Sequence, residues 1–379
     1  MLFPDEPNAG GWAVDGICDH FLRWAEERGS SDVVFNPTDP VAIRTHGQWW
    51  FVTRRPPSIT EIAAMLDNLA RDPAASSRVR GGAPLDFSHE VDRSPGDRRG
   101  GRIRFRGNAT ACAAGWAHGV SVTLRLIHGI PPALSDLDLE PALVDALFPP
   151  NGLVSVSGVM GSGKSTLIVA GIRHIRETQR RRVITYEEPI EFDLTRIDNP
   201  MGPLEQSAVP SHLPDFSSAV ANASRRAADV ILLGETRDAP TMRALVSYAE
   251  TGATVYHTIH TSTVAQILSR ALGFFVAEER PAIGSSLLSS LRLLVQQRLY
   301  RRADSEGRIA VREFLALDQS MRERLLATPQ EHITQEIDRM VKRHGQPLIE
   351  AAGCLHADGI LSDRDFQDIE REFRKEPLP

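Results

Sequence analysis

A glycine-rich segment between a predicted strand and a predicted helix constrains this chain more than any other feature. It reads Gly158-Val159-Met160-Gly161-Ser162-Gly163-Lys164-Ser165. Residues 152–157 before it alternate and include the β-branched Val154 and Val156, as in a short strand, and residues 165–178 after it have helical apolar spacing. Glycines let such a loop close around oxygens, and N–H groups at a helix N-terminus attract phosphate. The sequence therefore predicts a P-loop that binds a nucleoside triphosphate.

Two side chains of this loop have roles of their own in the prediction. Lys164 would place a positive charge at the β- and γ-phosphates, and the Ser165 hydroxyl would hold Mg²⁺. A glycine-rich turn that arose by chance is the alternative interpretation. The strand and helix signals on either side of the loop favour the nucleotide site.

Composition limits the class of protein further. The chain has 379 residues, 41% of them hydrophobic and 24% charged, which is ordinary for a globular protein of two domains. No apolar run approaches the roughly 18 residues that cross a bilayer, and three separated cysteines form neither a disulfide framework nor a CxxC metal site. These features predict a cytoplasmic protein. The net charge of −6 predicts no direct sequence-specific nucleic acid binding.

The order of predicted elements indicates an α/β fold with two domains. Pro131-Pro132 mark a linker at 129–132, so we expect an N-terminal α+β domain over 1–130 and a P-loop domain over 131–379. In the second domain the predicted strands are 152–157, 183–186, 229–233 and 253–258, with helices at 165–178, 215–226 and 239–250. This alternation predicts a mostly parallel sheet. Residues from about 280 to 379 are expected to be mainly helical, with a hairpin near 299–314.

Acidic residues end two of these strands. Glu235 follows the apolar run 229–233, where a carboxylate of a P-loop protein holds the Mg²⁺ shell directly or through water. Glu187 and Glu188 end the strand at 183–186, and a glutamate there can orient and deprotonate the attacking water. An exposed acidic turn is the alternative for this second group.

Two histidines, His257 and His260, lie three residues apart at the end of the predicted strand 253–258. Residues i and i+3 of a strand point to opposite faces, so this pair is a poor set of ligands for one metal ion. We expect one histidine to hydrogen-bond toward the nucleotide or a carboxylate and the other to orient the turn. A purely structural histidine is the alternative.

Together these segments resemble the secretion-ATPase superfamily, which includes motors of type II and type IV secretion and of type IV pili. The matching segments are GVMGSGKST (158–166) as Walker A, ITYEEPIEF (184–192) as the Asp box, ADVILLGETRD (228–238) as Walker B, AETGATVYHTIHT (249–261) as the His box, and RFRGN (104–108) with LRLIHGIP (124–131) near the end of the N-terminal domain. The resemblance implies a PAS-like N-terminal domain, a RecA-like P-loop domain, and ATP with Mg²⁺ as substrate and cofactor.

The resemblance also implies roles for individual residues. Glu187 is implied as the general base, although Glu188 replaces the aspartate of the family and leaves the division of labour open. Glu235 is implied as the Walker B acid, and His257 as a catalytic residue. The other implied nucleotide contacts are Thr166, His260, Arg104, Arg106, Arg125 and Arg225.

The chain lacks the four-cysteine zinc module of assembly motors, which leaves the shorter relatives. The Tyr186-Glu187-Glu188-Pro189 variant and the modest length look more like the DotB/TraJ group of type IVB secretion and IncI-type conjugation ATPases than like pilus-retraction motors. The resemblance therefore implies a homohexameric ATPase motor at an inner-membrane complex. The alternatives are a pilus-retraction motor, a RecA-like DNA translocase, and a nucleotide switch without steady turnover.

Overall fold

Two units make up the chain in the computed structural model, Met1–Gly129 and Ile130–Pro379. The structure describes residues 2–8, 11–14, 16–45, 47–93, 101–127, 129–210 and 212–373. Each unit has its own buried apolar cluster, one in the first unit and two large ones in the second. None of the helices in these ranges combines the length and apolarity that a bilayer crossing requires.

The N-terminal unit is α+β, as the sequence predicts. Its elements are α1 (Ile17–Glu26), β1 (Ser30–Phe35), β2 (Ala42–Thr45), β3 (Gln48–Phe51), α2 (Ile59–Leu69), α3 (Ala75–Arg80), β4 (Leu85–Asp92), β5 (Arg102–Ala114) and β6 (Ala117–Ile127). The strands form one antiparallel sheet in the order β3-β2-β1-β6-β5-β4. Strand β4 and helix α3 were not predicted from the sequence.

Local sequence explains two features of this unit. Helix α2 starts at a capping box, in which Ser58 Oγ accepts from the N–H of Glu61 and the Glu61 carboxylate accepts from the N–H of Ser58. Strand β5 alternates, with Ile103 and Phe105 in the core. The intervening arginines therefore lie on the opposite face of the sheet.

The C-terminal unit alternates strands and helices around the predicted P-loop. Its elements are α4 (Pro141–Ala146), β7 (Gly152–Ser157), α5 (Lys164–Thr178), β8 (Val183–Glu187), β9 (Leu204–Ala208), α6 (Phe216–Ala223), β10 (Val230–Leu233), α7 (Ala239–Glu250), β11 (Thr254–Ile259), α8 (Gln266–Leu272), α9 (Arg280–Ser290), β12 (Leu291–Arg301), β13 (Arg308–Ala316), α10 (Gln319–Ala327), α11 (Ile333–His344), α12 (Leu348–Ala357) and α13 (Asp363–Phe373).

The sheet of this unit has the order β13-β12-β7-β11-β10-β8-β9. All strands are parallel except β13, which pairs antiparallel with β12. Strands β7, β8, β10 and β11 are buried along their whole length, as expected for a sheet covered by helices on both faces. Because these strands are parallel, their carboxyl ends meet at one edge of the sheet.

The region predicted as mainly helical contributes two strands to this sheet. The predicted hairpin near 299–314 begins earlier, because β12 runs from Leu291 and pairs with the P-loop strand β7. The mainly helical description therefore holds for α9 and for the chain after β13, and the hairpin is present near 299–314 as predicted. The first part of β12, residues 291–298, is a strand that was not predicted. A short apolar run such as 291–295 fits a buried strand and a buried helix equally well by periodicity.

Candidate functional site

The P-loop connects the end of β7 to the start of α5. Gly158, Gly161 and Gly163 have φ values of 146°, 77° and 82°, which side chains rarely adopt. A Cβ at position 158 would lie 2.3 Å from the carbonyl oxygen of Gln297. The loop therefore favours glycine at all three positions for its backbone conformation, and Gly158 and Gly163 also lie too close to Gln297 for a side chain.

Lys164, the first residue of α5, is buried against this loop. Its Nζ donates to the carbonyl oxygens of Gly158 and Val159, both at 2.9 Å. Burial lowers the pKa of the Lys164 amine, and the charges of Glu235 and Glu191 act in the opposite direction. Phosphate oxygens compete with these carbonyls for the same ammonium group, because they are stronger acceptors for a cation.

The remaining loop residues fit a bound phosphate group. The N–H groups of the first turn of α5, which includes Ser165 and Thr166, lack intrahelical acceptors. Ser162 Oγ is buried and has no hydrogen-bond partner among the residues that the structure describes. Val159 and Met160 are exposed at the tip of the loop. A ring of free donors at a helix N-terminus suits a polyphosphate.

Glu187 ends β8 in a buried position. Its Oε1 accepts from Thr185 Oγ1 at 2.7 Å and from Gln206 Nε2 at 3.1 Å. Burial raises the pKa of Glu187 to about 6, although both hydrogen bonds favour the ionised form. A carboxylate with this pKa is ionised at neutral pH and remains basic enough to accept a proton.

Glu235 lies within a network of charges after β10. Arg237 contacts Glu235 at 2.8 Å and Glu188 at 3.2 Å. His260 Nε2 lies 3.1 Å from Glu235, and His260 Nδ1 is 3.0 Å from the carbonyl oxygen of Gly158. Burial opposes ionisation of Glu235, but Arg237, His260 and Lys164 outweigh it and lower its pKa. Glu235 is therefore a charged acid next to the P-loop, as a metal-shell ligand must be.

His257 lies on β11, and its implied catalytic role stays a prediction. It is buried in the middle of the sheet, where its Nε2 lies 2.7 Å from Ser155 Oγ and its Nδ1 lies 2.9 Å from Thr236 Oγ1. Burial lowers its pKa to about 4, so the ring is neutral. Both ring nitrogens are thus occupied by hydroxyl groups. His257 thus joins the P-loop strand β7 to Thr236, the residue after Glu235.

Arg225 is not brought to this site within one chain. It is exposed in the turn that precedes β10, whereas the P-loop follows the carboxyl end of β7. In a parallel sheet these two places lie at opposite edges. The resemblance implied Arg225 as a nucleotide contact, and that contact stays a prediction, because strand β10 separates Arg225 from Glu235 within one chain.

The three arginines of the N-terminal unit lie on neighbouring strands of their own sheet. Arg106 on β5 is directly opposite Arg125 on β6. Carboxylates of adjacent strands pair with all three: Glu90 with Arg104, Asp86 with Arg106, and Asp32 with Arg125. Their predicted contact with phosphate stays a prediction, and it would require them to exchange these partners.

Four residues at the site were not predicted from the sequence: Gln206, Arg237, Gln297 and Arg312. Arg237 stands within the quoted 228–238 segment, and its spacing of two from Glu235 was the available signal. The others come from β9, β12 and β13, far from the P-loop along the chain. No local spacing rule connects them to the nucleotide site.

The fold and this site define a RecA-like P-loop ATPase. Residues 115–366 match the model of the type II/IV secretion system protein family. The match covers more than half of the chain, which therefore belongs to this family. The resemblance to secretion ATPases inferred from the motifs is confirmed.

Individual relatives agree with this membership. The solved structure of the Legionella pneumophila ATPase DotB has a TM-score of 0.88 and 34% identity, and the match covers 98% of this chain and 99% of DotB. A twitching motility protein of Neisseria gonorrhoeae is 31% identical over 280 residues, 74% of this chain and 71% of that protein. The uncharacterised protein YggR of Escherichia coli is 36% identical over 212 residues, 56% of this chain and 63% of YggR.

Proposed function

We propose that this chain is the subunit of a homohexameric motor that hydrolyses ATP to drive type IVB secretion or conjugative plasmid transfer. The observation that carries the proposal is the similarity to the ATPase DotB over 98% of this chain. The Tyr186-Glu187-Glu188-Pro189 variant and the missing cysteine module favour the same group. The motor would act from the cytoplasm, at the inner-membrane face of a secretion complex.

In the proposed reaction, Lys164 exchanges its two carbonyl acceptors for the β- and γ-phosphates of ATP. Glu187 accepts a proton from the water that attacks the γ-phosphate, and its raised pKa matches that task. Ser165 and Glu235 are the residues that would hold Mg²⁺, which neutralises charge on the phosphates when bound. Glu188 is half-exposed and paired with Arg237, so we assign the base to Glu187.

A second candidate is a pilus-retraction motor. The similarity to the gonococcal twitching motility protein favours it. Both candidates require the same ATPase chemistry, so the site does not separate them. Deletion of the gene in its host does: loss of plasmid transfer or effector secretion with intact twitching supports the first candidate, and loss of twitching supports the second.

The ATPase and assembly parts of the proposal are tested on the purified chain. We expect steady phosphate release from Mg²⁺-ATP and six-membered rings in electron micrographs with nucleotide. Glu187→Gln should bind ATP without turning it over. A chain that binds ATP but never releases phosphate, in any assembly state, would instead be a nucleotide switch.

A further inference from the structure

The P-loop rests on a buried glutamine of the neighbouring strand. Gln297 follows Gln296, which is the register partner of Ser157 at the end of β7. The Gln297 Nε2 donates to the carbonyl oxygen of Ser162 in the loop at 2.7 Å. The same nitrogen lies 2.8 Å from the place where a Cβ at Gly163 would stand. Gln297 thus contacts the loop directly on its side away from solvent.

A buried arginine fixes the orientation of this amide. Arg312 lies directly opposite Gln297 on β13, and its Nε donates to Gln297 Oε1 at 2.8 Å. Because a guanidinium group only donates, it selects the oxygen of the amide and turns the Nε2 donor toward Ser162. Without Arg312 the amide could present either atom to the loop, and a carbonyl facing a carbonyl is unfavourable.

Arg312 is itself anchored on the segment that follows the N-terminal unit along the chain. Its two terminal nitrogens donate to the carbonyl oxygens of Leu137 (2.9 Å) and Asp138 (3.1 Å), and one of them lies 3.2 Å from a carboxylate oxygen of Glu140. Only 2% of Arg312 is exposed. Burial lowers its pKa, and the Glu140 and Asp138 carboxylates oppose that shift. Because each of the three nitrogens of this buried guanidinium group has an acceptor, removing any partner is energetically costly.

We propose that Gln297 and Arg312 are positioning residues of the nucleotide site, which hold the P-loop in its phosphate-accepting shape and connect it to the segment 137–140. The proposal rests on the proposed ATPase function and adds residues to the same site. Neither residue need touch the nucleotide, since both act through the carbonyl of Ser162. Removing the amide leaves that carbonyl and the Arg312 Nε buried without a partner, which favours a different loop conformation.

The chain contains a matched control on the same strand. Gln296 precedes Gln297, is fully buried, and has no hydrogen-bond partner for either amide atom in the part of the chain that the structure describes. Gln296→Leu and Gln297→Leu therefore remove the same buried amide from β12. Only the second removes a contact with the P-loop.

The test measures the dissociation constant of Mg²⁺-ADP with the full chain, together with KM and kcat for ATP. We expect Gln297→Leu to weaken ADP binding about tenfold, which corresponds to one lost hydrogen bond of about 1.4 kcal/mol, and to raise KM more than it lowers kcat. Gln296→Leu should stay within about twofold of the wild type. Arg312→Lys keeps the charge but loses the fork geometry, so its binding should lie between those two.

Each outcome decides the proposal. Equal ADP binding by Gln297→Leu and the wild type overturns it, as does equal weakening by Gln296→Leu. An Arg312→Lys chain that binds like the wild type removes Arg312 from the assignment. If Gln297→Leu does not fold, Gln297→Glu keeps the acceptor for Arg312 and must still bind ADP more weakly. A wild-type chain that binds no nucleotide refutes the ATPase function itself, whereas the variant comparison refutes only the positioning.

Discussion

The hydrogen bond from Thr185 to the proposed base allows a quantitative test of the mechanism. Burial raises the pKa of Glu187 to about 6, and Thr185 Oγ1 donates to its carboxylate at 2.7 Å. The base must be ionised to act, so kcat/KM should fall as the pH is lowered through about 6. Thr185→Val removes a bond that favours the ionised form.

The size of the effect follows from the strength of such a bond. Hydrogen bonds to charged groups contribute about 1.5–3 kcal/mol, and about 1.4 kcal/mol of preference for one protonation state is one pKa unit. We therefore expect the Glu187 pKa of Thr185→Val to rise by about one unit, from about 6 to about 7. At pH 6 the ionised fraction then falls about fivefold, whereas at pH 8 it hardly changes.

The assay is steady-state phosphate release between pH 5.5 and pH 9. Thr178→Val serves as the control, because among the described residues Thr178 Oγ1 bonds the carbonyl of His174 on α5 and nothing at the site, so its pH profile should match that of the wild type. Glu187→Gln should show no phosphate release at any pH in this range, because the base is missing. If the pH dependence of kcat/KM in Thr185→Val is not shifted from that of the wild type, or if Glu187→Gln turns over ATP at the wild-type rate, another group is the base.

Three further predictions concern binding and stability. Lys164→Ala should weaken ATP binding at least about a hundredfold, since the only cation within the loop is removed, and calorimetric titration that finds wild-type affinity would contradict the P-loop assignment. The pKa of Glu187 rises from 4.5 to about 6 on folding, so the wild-type protein loses about 2 kcal/mol of stability as the pH rises through that window. Glu187→Gln avoids this loss, and its free energy of unfolding in urea at pH 8 should therefore be higher by about 2 kcal/mol. His257 has a folded pKa of about 4 against 6.5, so its contribution to stability is lost as pH falls from 6.5 toward 4. Between pH 7 and pH 5 the wild-type protein should lose about 2 kcal/mol of unfolding free energy through His257, and His257→Gln should remove that loss. If the unfolding free energy of the variant depends on pH as steeply as that of the wild type, His257 is not buried as a neutral ring.

Much of the site was predictable because its candidate residues lie at or just after the ends of strands. Gly158–Lys164, Glu187 and Glu235 each follow an apolar strand, and parallel strands present their carboxyl ends at one edge. The local patterns and this topological rule therefore predict that the loop and both acids lie at one edge of the sheet, and β7, β8 and β10 do end at that edge. Strand β4 was missed because its alternation places polar residues such as Asp86 and Glu90 on an outer face, which lowers its apolar signal.

The amino-acid sequence by itself determined the nucleotide chemistry, since a P-loop is a continuous segment whose conformation depends on its own glycines. Only the tertiary structure decided which distant residues serve that loop. Parallel pairing of β12 with β7 brings Gln297 beneath Ser162, and antiparallel β13 adds Arg312. The tertiary structure also buries His257 between the hydroxyl groups of Ser155 and Thr236, and it places Arg225 at the edge of the sheet opposite the P-loop. Strand neighbours are chosen by packing across the whole sheet, and no spacing within a single segment encodes that choice.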